Sequence, residues 1–222
     1  MIKLLPIICL LFLAVPKSTA GDSYILWASN LVHHYEKPGK YCREWGSTFS
    51  NSSVVNASFF RGDRTLISPY ASETISKYTI SKHKWWYINL NKNIFEVKSH
   101  EAQLDVTSKF IVSVCPALIV NTVDMSKSFI TSMGGRKFAY RNCRRTMIGT
   151  TTTGSIFIVV GSGNLFTLRK LLRNKINNIL WLANLDGGSS TFLSVNNKSI
   201  VKNKTKIPSV ISFEIIKMES FR

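Results

Sequence analysis

The stretch of this sequence with the widest range of chemical groups is 184–191, which reads Asn-Leu-Asp-Gly-Gly-Ser-Ser-Thr. It places Asp186 beside Gly187 and Gly188, directly after the apolar run 179–183. Glycines lack a Cβ and let the backbone approach a ligand closely. A carboxylate there can act as a general acid or base, or hold a sugar hydroxyl or a cation. Because Asp-Gly is also a common turn pair, the residue types alone leave both a site and a turn open.

Three other segments combine apolar and polar residues as a binding site does. Asn56 ends a short apolar run and can hydrogen-bond sugar hydroxyls, and Phe59 and Phe60 follow it. Two adjacent phenylalanines can wall a pocket, although they are more typical of a core. Arg145 carries a planar fork of donors that suits phosphate or carboxylate, but a lone arginine more often makes a structural ion pair. The third segment is the polar turn 162–164.

The elements expected to position these groups are mostly strands. Apolar or alternating runs predict strands at 24–28, 54–55, 84–90, 93–97, 110–114, 117–120, 156–160, 180–185 and 210–217. The runs 84–90 and 93–97 form a predicted hairpin around 91–92. Segment 125–140 has a mixed pattern that is interrupted by Gly134 and Gly135.

One amphipathic helix is predicted after residue 164. Its apolar positions recur at spacings of three and four residues, at Leu165, Leu168, Leu172, Ile176 and Ile179. Asn164 or Thr167 is the predicted N-cap, and the opposite face carries Arg169, Lys170 and Arg173 and is expected to be solvated. We therefore predict a single-domain α+β fold, with a mixed β-sheet core and at least one amphipathic helix packed on it. The unit strand, helix, strand places Asp186 at the carboxyl end of a strand, where open sheets bind ligands.

The first twenty residues have the pattern of a secretory signal peptide. A short basic start precedes the apolar run 4–15, and 18–20 is a small-residue cleavage site. Residues 21–222 are then expected to form the folded domain, in a secreted or periplasmic protein. No later run is long and apolar enough to predict a transmembrane segment.

The charge and the reactive side chains limit the possible partners. The formal net charge is +17, but the basic residues are scattered and do not flank an aromatic RNA-binding motif. We expect no specific nucleic-acid partner; an anionic glycan or envelope polymer, or simply a solvated basic surface, remains open. The histidines show no metal-ligand spacing, so neither a metal nor another cofactor is predicted; they are His33, His34, His83 and His100. The expected mature cysteines are odd in number, with Cys115 and Cys143 as the predicted pair; they are Cys42, Cys115 and Cys143.

These segments occur in an order that resembles the phosphodiester glycosidase family, the domain of the enzyme that uncovers mannose 6-phosphate by removing N-acetylglucosamine from its phosphodiester. The family's motifs correspond to residues 56–60, 115–118, 145–149, 156–160 and 184–190. The resemblance extends from about Val54 to Ile216. It implies a hydrolase that cleaves the bond between an anomeric carbon and a phosphate, acting on a sugar-phosphate or anionic glycan.

The resemblance also implies roles for individual residues. Arg145 holds the phosphate and Asp186 serves as general acid or base, or orients the sugar or water. The predicted substrate-binding residues are Asn56, Phe60, Asn184, Gly187, Gly188, Ser189 and Ser190.

The sequence departs from the family pattern at four positions. They are Ala57, Ser58, Lys170 and Ser189. These departures leave the sugar, the substituent on the phosphate and the retention of catalysis open. A non-catalytic protein that binds glycans or envelope polymers on the same fold is therefore the alternative function. The oligomeric state is also left open.

Overall fold

The structure is a computed structural model that describes residues 23–67, 70–72, 76–77, 86–91, 94–99, 102, 107–203 and 205–221. The predicted signal peptide lies outside these residues, as do His83 and His100 and part of the predicted hairpin, at 84–85 and 92–93. Within the described ranges, no helix is long and apolar enough to span a membrane.

Fifteen strands and four helices are formed by the described residues. The strands are β1 (Ser23–Lys40), β2 (Ser53–Asn56), β3 (Tyr70–Ala71), β4 (Ser76–Lys77), β5 (Trp86–Asn91), β6 (Ile94–Lys98), β7 (Ile111–Val114), β8 (Ala117–Val120), β9 (Val123–Asp124), β10 (Cys143–Thr151), β11 (Ile156–Gly163), β12 (Ile179–Gly187), β13 (Leu193–Val195), β14 (Lys198–Val201) and β15 (Ile207–Phe221). The helices are α1 (Cys42–Thr48), α2 (Lys127–Gly134), α3 (Arg136–Tyr140) and α4 (Leu165–Lys175).

The strands form two antiparallel sheets, and strand dominates an α+β fold. The large sheet has the order β14-β13-β2-β15-β1-β11-β10-β12-β8-β9, and the small sheet the order β4-β3-β7-β5-β6. The prediction of a mixed sheet is wrong, because every paired strand among the described residues is antiparallel to its partner. β11 and β12 nevertheless run in the same direction, since both are antiparallel to β10 between them. α4 is thus a crossover that passes over β10.

The core has two layers on either side of the large sheet. One layer lies between the two sheets and joins Ile88 and Val112 of the small sheet to Val55 and Ile148 of the large one. The other layer lies between the large sheet and the helices; its buried members include Met147, Phe157, Ile130, Leu168 and Leu172. β10 and β12 therefore lie between two apolar layers, and polar groups on them need partners at the strand ends.

The large sheet curls strongly along β1. Bulges interrupt the pairing of β1 with β15 at three places, between Trp27 and Ala28, between Ser29 and Val32, and between Tyr35 and Lys40. Bulges bend a strand and increase its twist. The curl brings the end of β2 against β12, although four strands lie between them in the sheet, and the Asp186 N–H donates to the Ala57 carbonyl at 3.1 Å.

The helix predicted from periodicity is α4. The Asn164 side chain accepts a hydrogen bond from the Thr167 N–H, so the N-cap prediction of Asn164 is confirmed. Ile179, predicted as a helix position, instead begins β12, because the helix ends at Lys175. The prediction of a fully solvated face is wrong for Arg169, whose guanidinium donates to the Met125 carbonyl at 2.6 Å.

The chain crosses between the sheets at 115–116, so β7 and β8 belong to different sheets. The predicted Cys115–Cys143 disulfide is wrong, since both cysteines and Cys42 are free. Cys115 is buried, and its thiol donates to the Met133 carbonyl of α2 at 3.4 Å. Burial raises the pKa of the Cys115 thiol to about 12, so this cysteine is a small apolar core residue at neutral pH.

Gly149 tests the tight packing of β10 against its neighbours. A Cβ there would lie 2.4 Å from Cζ of Phe157 and 2.5 Å from the backbone oxygen of Trp181. We expect Gly149→Ala to lower the free energy of unfolding by about 1–3 kcal/mol, because strand backbone would have to move. Urea denaturation measures the change.

The matched control is Gly62→Ala, since nothing lies within 4 Å of a Cβ at Gly62. It should change the free energy of unfolding by less than about 0.5 kcal/mol. Equal effects of the two substitutions would contradict the packing argument.

Candidate functional site

The candidate site lies where three strands of the large sheet reach the same edge. β10 begins there, and β11 and β12 end there, because both run antiparallel to β10. Arg145 is paired in register with Gly161 on one side and with Gly187 on the other. The register shifts between Arg145 and Met147, where β12 contains one residue more than β10. This bulge includes Asp186. In a regular ladder without the extra residue, Asp186 would have a different partner on β10.

Arg145 is a buried cation that forms no ion pair with any carboxylate of the described residues. Its side chain is 1% exposed, and Nη2 donates to the backbone carbonyls of Phe138 at 2.6 Å and Arg141 at 3.2 Å. Its guanidinium also lies over the Phe138 ring, 4.4 Å from the centroid. Nε and Nη1 are buried and have no partner in the described part of the chain. Burial lowers the pKa of Arg145 from its ordinary value, yet an arginine stays charged at neutral pH.

The glycine beside Arg145 keeps space for this side chain. A Cβ on Gly187 would lie 3.1 Å from the Arg144 carbonyl oxygen and 3.6 Å from Cδ of Arg145. Gly188 follows with a φ of +68°, a conformation that favours glycine. The chain then forms a short 3-10 turn over Gly188–Ser190. The predicted turn and the predicted site therefore coincide in this segment.

Asp186 has an unusually basic carboxyl group. Burial raises its pKa to about 6, against the opposing effects of the Ser190 hydroxyl, the Gly187 N–H and the nearby Arg64 cation. The Gly187 N–H donates to Oδ1 at 2.9 Å. No ion pair joins Asp186 to Arg145 within the described ranges; the guanidinium is turned toward α3 instead. The two groups are neighbours along the sheet edge but do not neutralise each other.

Asn56 connects the strands that the curl brings together. It is 0% exposed, and its amide nitrogen donates to the Asp186 carbonyl at 2.6 Å. Its Oδ1 accepts from the Thr146 hydroxyl at 2.6 Å and from the Phe192 N–H at 3.2 Å. In this structure Asn56 therefore fixes the backbone of Asp186, and its predicted contact with a sugar stays a prediction.

The other predicted binding residues lie at different depths. Asn184 is buried and donates to the carbonyls of Cys115 and Leu185, whereas Ser190 is buried near Asp186 and Ser189 is exposed. Phe60 is partly exposed, and the guanidinium of Arg64, whose charge also acts on Asp186, lies 5.1 Å from its ring centroid. Its predicted contact with a substrate stays a prediction.

Half of the eight described residues that carry buried, unpartnered polar side-chain atoms lie in the chain segments around Asp186. Four residues carry them along the chain segments that meet there: Ser58, Arg145, Asn184 and Thr191. Buried polar groups are almost always hydrogen-bonded, so each buried polar atom without a partner needs an explanation. Unused donors and acceptors in one neighbourhood are what a polar ligand would satisfy.

Two grooves elsewhere do not include this site. One, of about 610 Å³, is lined by residues such as Trp27, Leu90 and Ile216. The other, of about 440 Å³, lies beside α4 and contains Lys170 and Arg173. Among the described residues, no cluster of three or more histidine, cysteine or acidic side chains is placed to hold a metal.

Sequence reasoning missed several residues that shape the site. Thr146 and Ser58 lie inside the segments singled out above, but only the curl of the sheet shows that their hydroxyls are buried there. Arg64 lies in a loop with no recognisable motif. His33 and Ser209, on β1 and β15, carry no local signal at all, because their partners are far away in the sequence.

The raised pKa of Asp186 implies a measurable cost to stability. Above pH 6 the folded protein must carry a carboxylate that it disfavours, whereas the unfolded chain ionises it freely near pH 3.8. We expect Asp186→Asn to raise the free energy of unfolding by about 3 kcal/mol at pH 8. Asparagine keeps an oxygen that can accept from the Gly187 N–H. Urea denaturation of both proteins measures the difference.

The gain should shrink as pH falls through 6 and vanish below about pH 4, where the aspartate is protonated in both states. Because all other groups titrate equally in the two proteins, the pH dependence of the difference reports Asp186 alone. A difference that does not change with pH would contradict the assignment.

The sequence was compared with protein families and with curated proteins. The sequence profile of the phosphodiester glycosidase family matches residues 51–214. A search among curated proteins finds no match.

Two solved structures show the same fold. One is the catalytic domain of zebrafish N-acetylglucosamine-1-phosphodiester alpha-N-acetylglucosaminidase, auto-inhibited by its pro-peptide, with a TM-score of 0.66 and 15% identity over 87% of this chain and 73% of that one. The other is a hypothetical protein from Synechocystis, with a TM-score of 0.56 and 12% identity over 83% of this chain and 56% of that one. The resemblance predicted from the sequence is confirmed by the profile. Since that profile covers well over half of the sequence, this chain belongs to the phosphodiester glycosidase family.

Proposed function

We propose that this protein hydrolyses a sugar-1-phosphodiester on a glycan or envelope polymer, outside the cytoplasm. The observation that carries the proposal is Arg145, a buried guanidinium that, in the part of the chain that the structure describes, has two unpartnered nitrogens and no carboxylate in an ion pair with it. Burying an unpaired charge is costly, so a fold that keeps one has a use for it. A phosphate is the anion that satisfies such a group with two oxygens.

Asp186 supplies the second element of the mechanism. Water adds its oxygen to the anomeric carbon, the bond from that carbon to the phosphate oxygen breaks, and the phosphate leaves as a monoester. A phosphate monoester is a good leaving group that needs little protonation. A carboxylate with a pKa of about 6 is matched to accepting the proton of the attacking water near neutral pH. Ordinary glycosidases use two carboxylates, whereas this leaving group lets one suffice.

Arg145 acts on the departing phosphate. Its unpartnered Nε and Nη1 would donate to phosphate oxygens and stabilise the charge that develops as the bond breaks. In the present structure the group is covered by α3, through its bond to the Phe138 carbonyl. Substrate binding therefore requires α3 to move outward, so that phosphate oxygens can reach Nε and Nη1.

The covering of Arg145 by α3 also favours the alternative function, a protein that binds glycans or envelope polymers without cleaving them. A guanidinium that is 1% exposed and already bonded to two carbonyls can serve as a structural cation. Two departures from the family pattern are also close by: the Ala57 carbonyl accepts from the Asp186 N–H, and Ser58 follows Ala57 in the chain. Turnover, and not binding, separates the two functions.

Turnover is tested with purified protein and a panel of sugar-1-phosphodiesters that differ in the sugar, with release of free sugar as the readout. We expect the unmodified protein to release sugar from at least one of them. Asp186→Asn should lower kcat by about 10²–10⁴-fold, because proton transfer is lost. Arg145→Lys should lower kcat by about 10²–10³-fold, because a point charge replaces the planar fork.

Arg144→Lys is the matched control for Arg145→Lys. Arg144 is the exposed neighbour of Arg145 and donates only to the Lys202 carbonyl among the contacts of the described chain. This variant should stay within about threefold of the unmodified protein. Binding of the panel without any sugar release would identify the non-catalytic alternative, and neither binding nor release would refute both functions.

The pH dependence of kcat tests the role of Asp186 separately. As a general base it must be ionised, so kcat should rise as pH increases through about 6 and then level off. The residual activity of Asp186→Asn should lack this inflection. A rate that falls through pH 6 would assign the acid role to Asp186 instead.

A further inference from the structure

A buried histidine and serine lie behind the segment that contacts Asp186. His33 of β1 and Ser209 of β15 lie on adjacent strands, two register positions apart, and both residues are 0% exposed. The His33 Nε2 and the Ser209 Oγ are 2.8 Å apart, and the His33 Nδ1 lies 2.6 Å from the Ala71 carbonyl oxygen. Both ring nitrogens of the buried His33 are therefore hydrogen-bonded.

The partners fix the tautomer of His33. A carbonyl oxygen only accepts, so Nδ1 carries the proton and donates it to Ala71. Nε2 is then an acceptor, and the Ser209 hydroxyl donates to it. Burial lowers the pKa of His33 to about 4, and this neutral form is the one present at neutral pH. His33 therefore orients the Ser209 hydroxyl in a single direction.

Ser209 in turn holds the end of β2. With its hydrogen directed at His33, its hydroxyl oxygen accepts from the Ser58 N–H at 3.1 Å. Its backbone carbonyl accepts from the Ala57 N–H at 3.0 Å. Ser209 thus holds the N–H groups of both Ala57 and Ser58. The Ala57 carbonyl, which belongs to the same peptide group as the Ser58 N–H, accepts from the Asp186 N–H at 3.1 Å.

The pair is not a nucleophile and its base, although the distances would suit one. Both groups are fully buried, and the serine oxygen already accepts a backbone hydrogen bond. His33 is oriented by a carbonyl and not by a carboxylate. Its contacts lead to Asp186 through the backbone.

We propose that His33 and Ser209 are positioning residues for Asp186, which hold Ala57 and Ser58 so that the Asp186 backbone is clamped on the β2 side. The clamp has two parts, the Ala57 carbonyl and the Asn56 amide, which bond the N–H and the carbonyl of Asp186. The consequence for catalysis rests on the proposed function, whereas the consequence for the Asp186 carboxyl does not. Asp186 is already partly exposed, and releasing the clamp lets more water reach its carboxyl.

The chain provides a matched control on the same two strands. His34 Nε2 lies 2.7 Å from the Ser212 hydroxyl, again between β1 and β15, in a partly buried position where the His34 ring packs against Phe49. Ser212→Ala removes a histidine–serine bond of the same kind. Ser212 pairs with Val54 and Val32 in the sheet and lies away from Ala57 and Ser58.

The test compares Ser209→Ala with Ser212→Ala in two assays on the full chain. The first is the pKa of Asp186, measured by NMR on aspartate labelled with carbon-13, with the signal assigned by its absence in Asp186→Asn. We expect Ser209→Ala to lower this pKa by at least 0.5, toward the value of a solvated carboxyl, and Ser212→Ala to leave it unchanged. The second is kcat on a sugar-1-phosphodiester, which should fall at least tenfold with Ser209→Ala alone.

Variants at His33 separate hydrogen bonding from packing. His33→Gln keeps one donor and one acceptor and should retain kcat within about fivefold, whereas His33→Leu fills the space without either and should resemble Ser209→Ala. If Ser209→Ala does not fold, Ser209→Cys, of similar shape with a weaker donor and acceptor, replaces it.

An Asp186 pKa that is equal in Ser209→Ala and Ser212→Ala would overturn the inference, whatever the substrate. A shifted pKa without turnover in any variant would instead leave the positioning role standing and refute the proposed hydrolysis. A loss of kcat that His33→Gln and His33→Leu share equally would also overturn it.

Discussion

The curl of the large sheet is the constraint on which the site depends. Four strands separate β2 from β12 in the hydrogen-bonded order, yet Asn56 and Ala57 bond the carbonyl and the N–H of Asp186. The bulges along β1 make this possible, because they bend the strand that runs through the middle of the sheet. Without that bend the carboxylate would lie at an open strand end, fully hydrated and with an ordinary pKa.

The site is assembled at the expense of stability. Arg145 is buried and makes no ion pair with a described carboxylate, and Asp186, which is partly exposed, is held where desolvation opposes its charge. An internal ion pair between them would reduce both penalties, but the guanidinium is turned toward the carbonyls of α3 instead. Keeping the two charges apart leaves the charge of each without an internal counter-charge among the described residues, and such unrelieved electrostatics are characteristic of functional sites.

The sequence carried local information well and distant information poorly. The periodicity of Leu165, Leu168 and Leu172 predicted α4, and Asn164 predicted its cap, because both signals are confined to a few residues. The Arg145 and Asp186 segments were recognised from their residue types and order. The sheet was wrongly expected to be mixed, since α4 gives the local pattern of a parallel crossover while β10 lies between the two strands it joins.

What the sequence could not indicate was the role of each side chain. Asn56 has the chemistry of a sugar ligand, and only its three partners identify it as a connection between strands. The cysteine pair failed for the same reason: Cys115 turns toward Met133 of α2, and no spacing rule shows this. His33 and Ser209 are separated by most of the chain, so their bond has no local signature.

The bond between Asn56 and Asp186 joins residues 130 positions apart, and that separation determines when the site can exist. Closing such a long loop costs chain entropy, which only the packed sheet repays, so contacts of this kind form late in folding. In a partly folded chain that lacks β12 or the curl of the sheet, Arg145, Asp186 and Asn56 are therefore still far apart. The candidate site is thus a property of the finished fold, and a chain that has not yet folded does not bring these three side chains together.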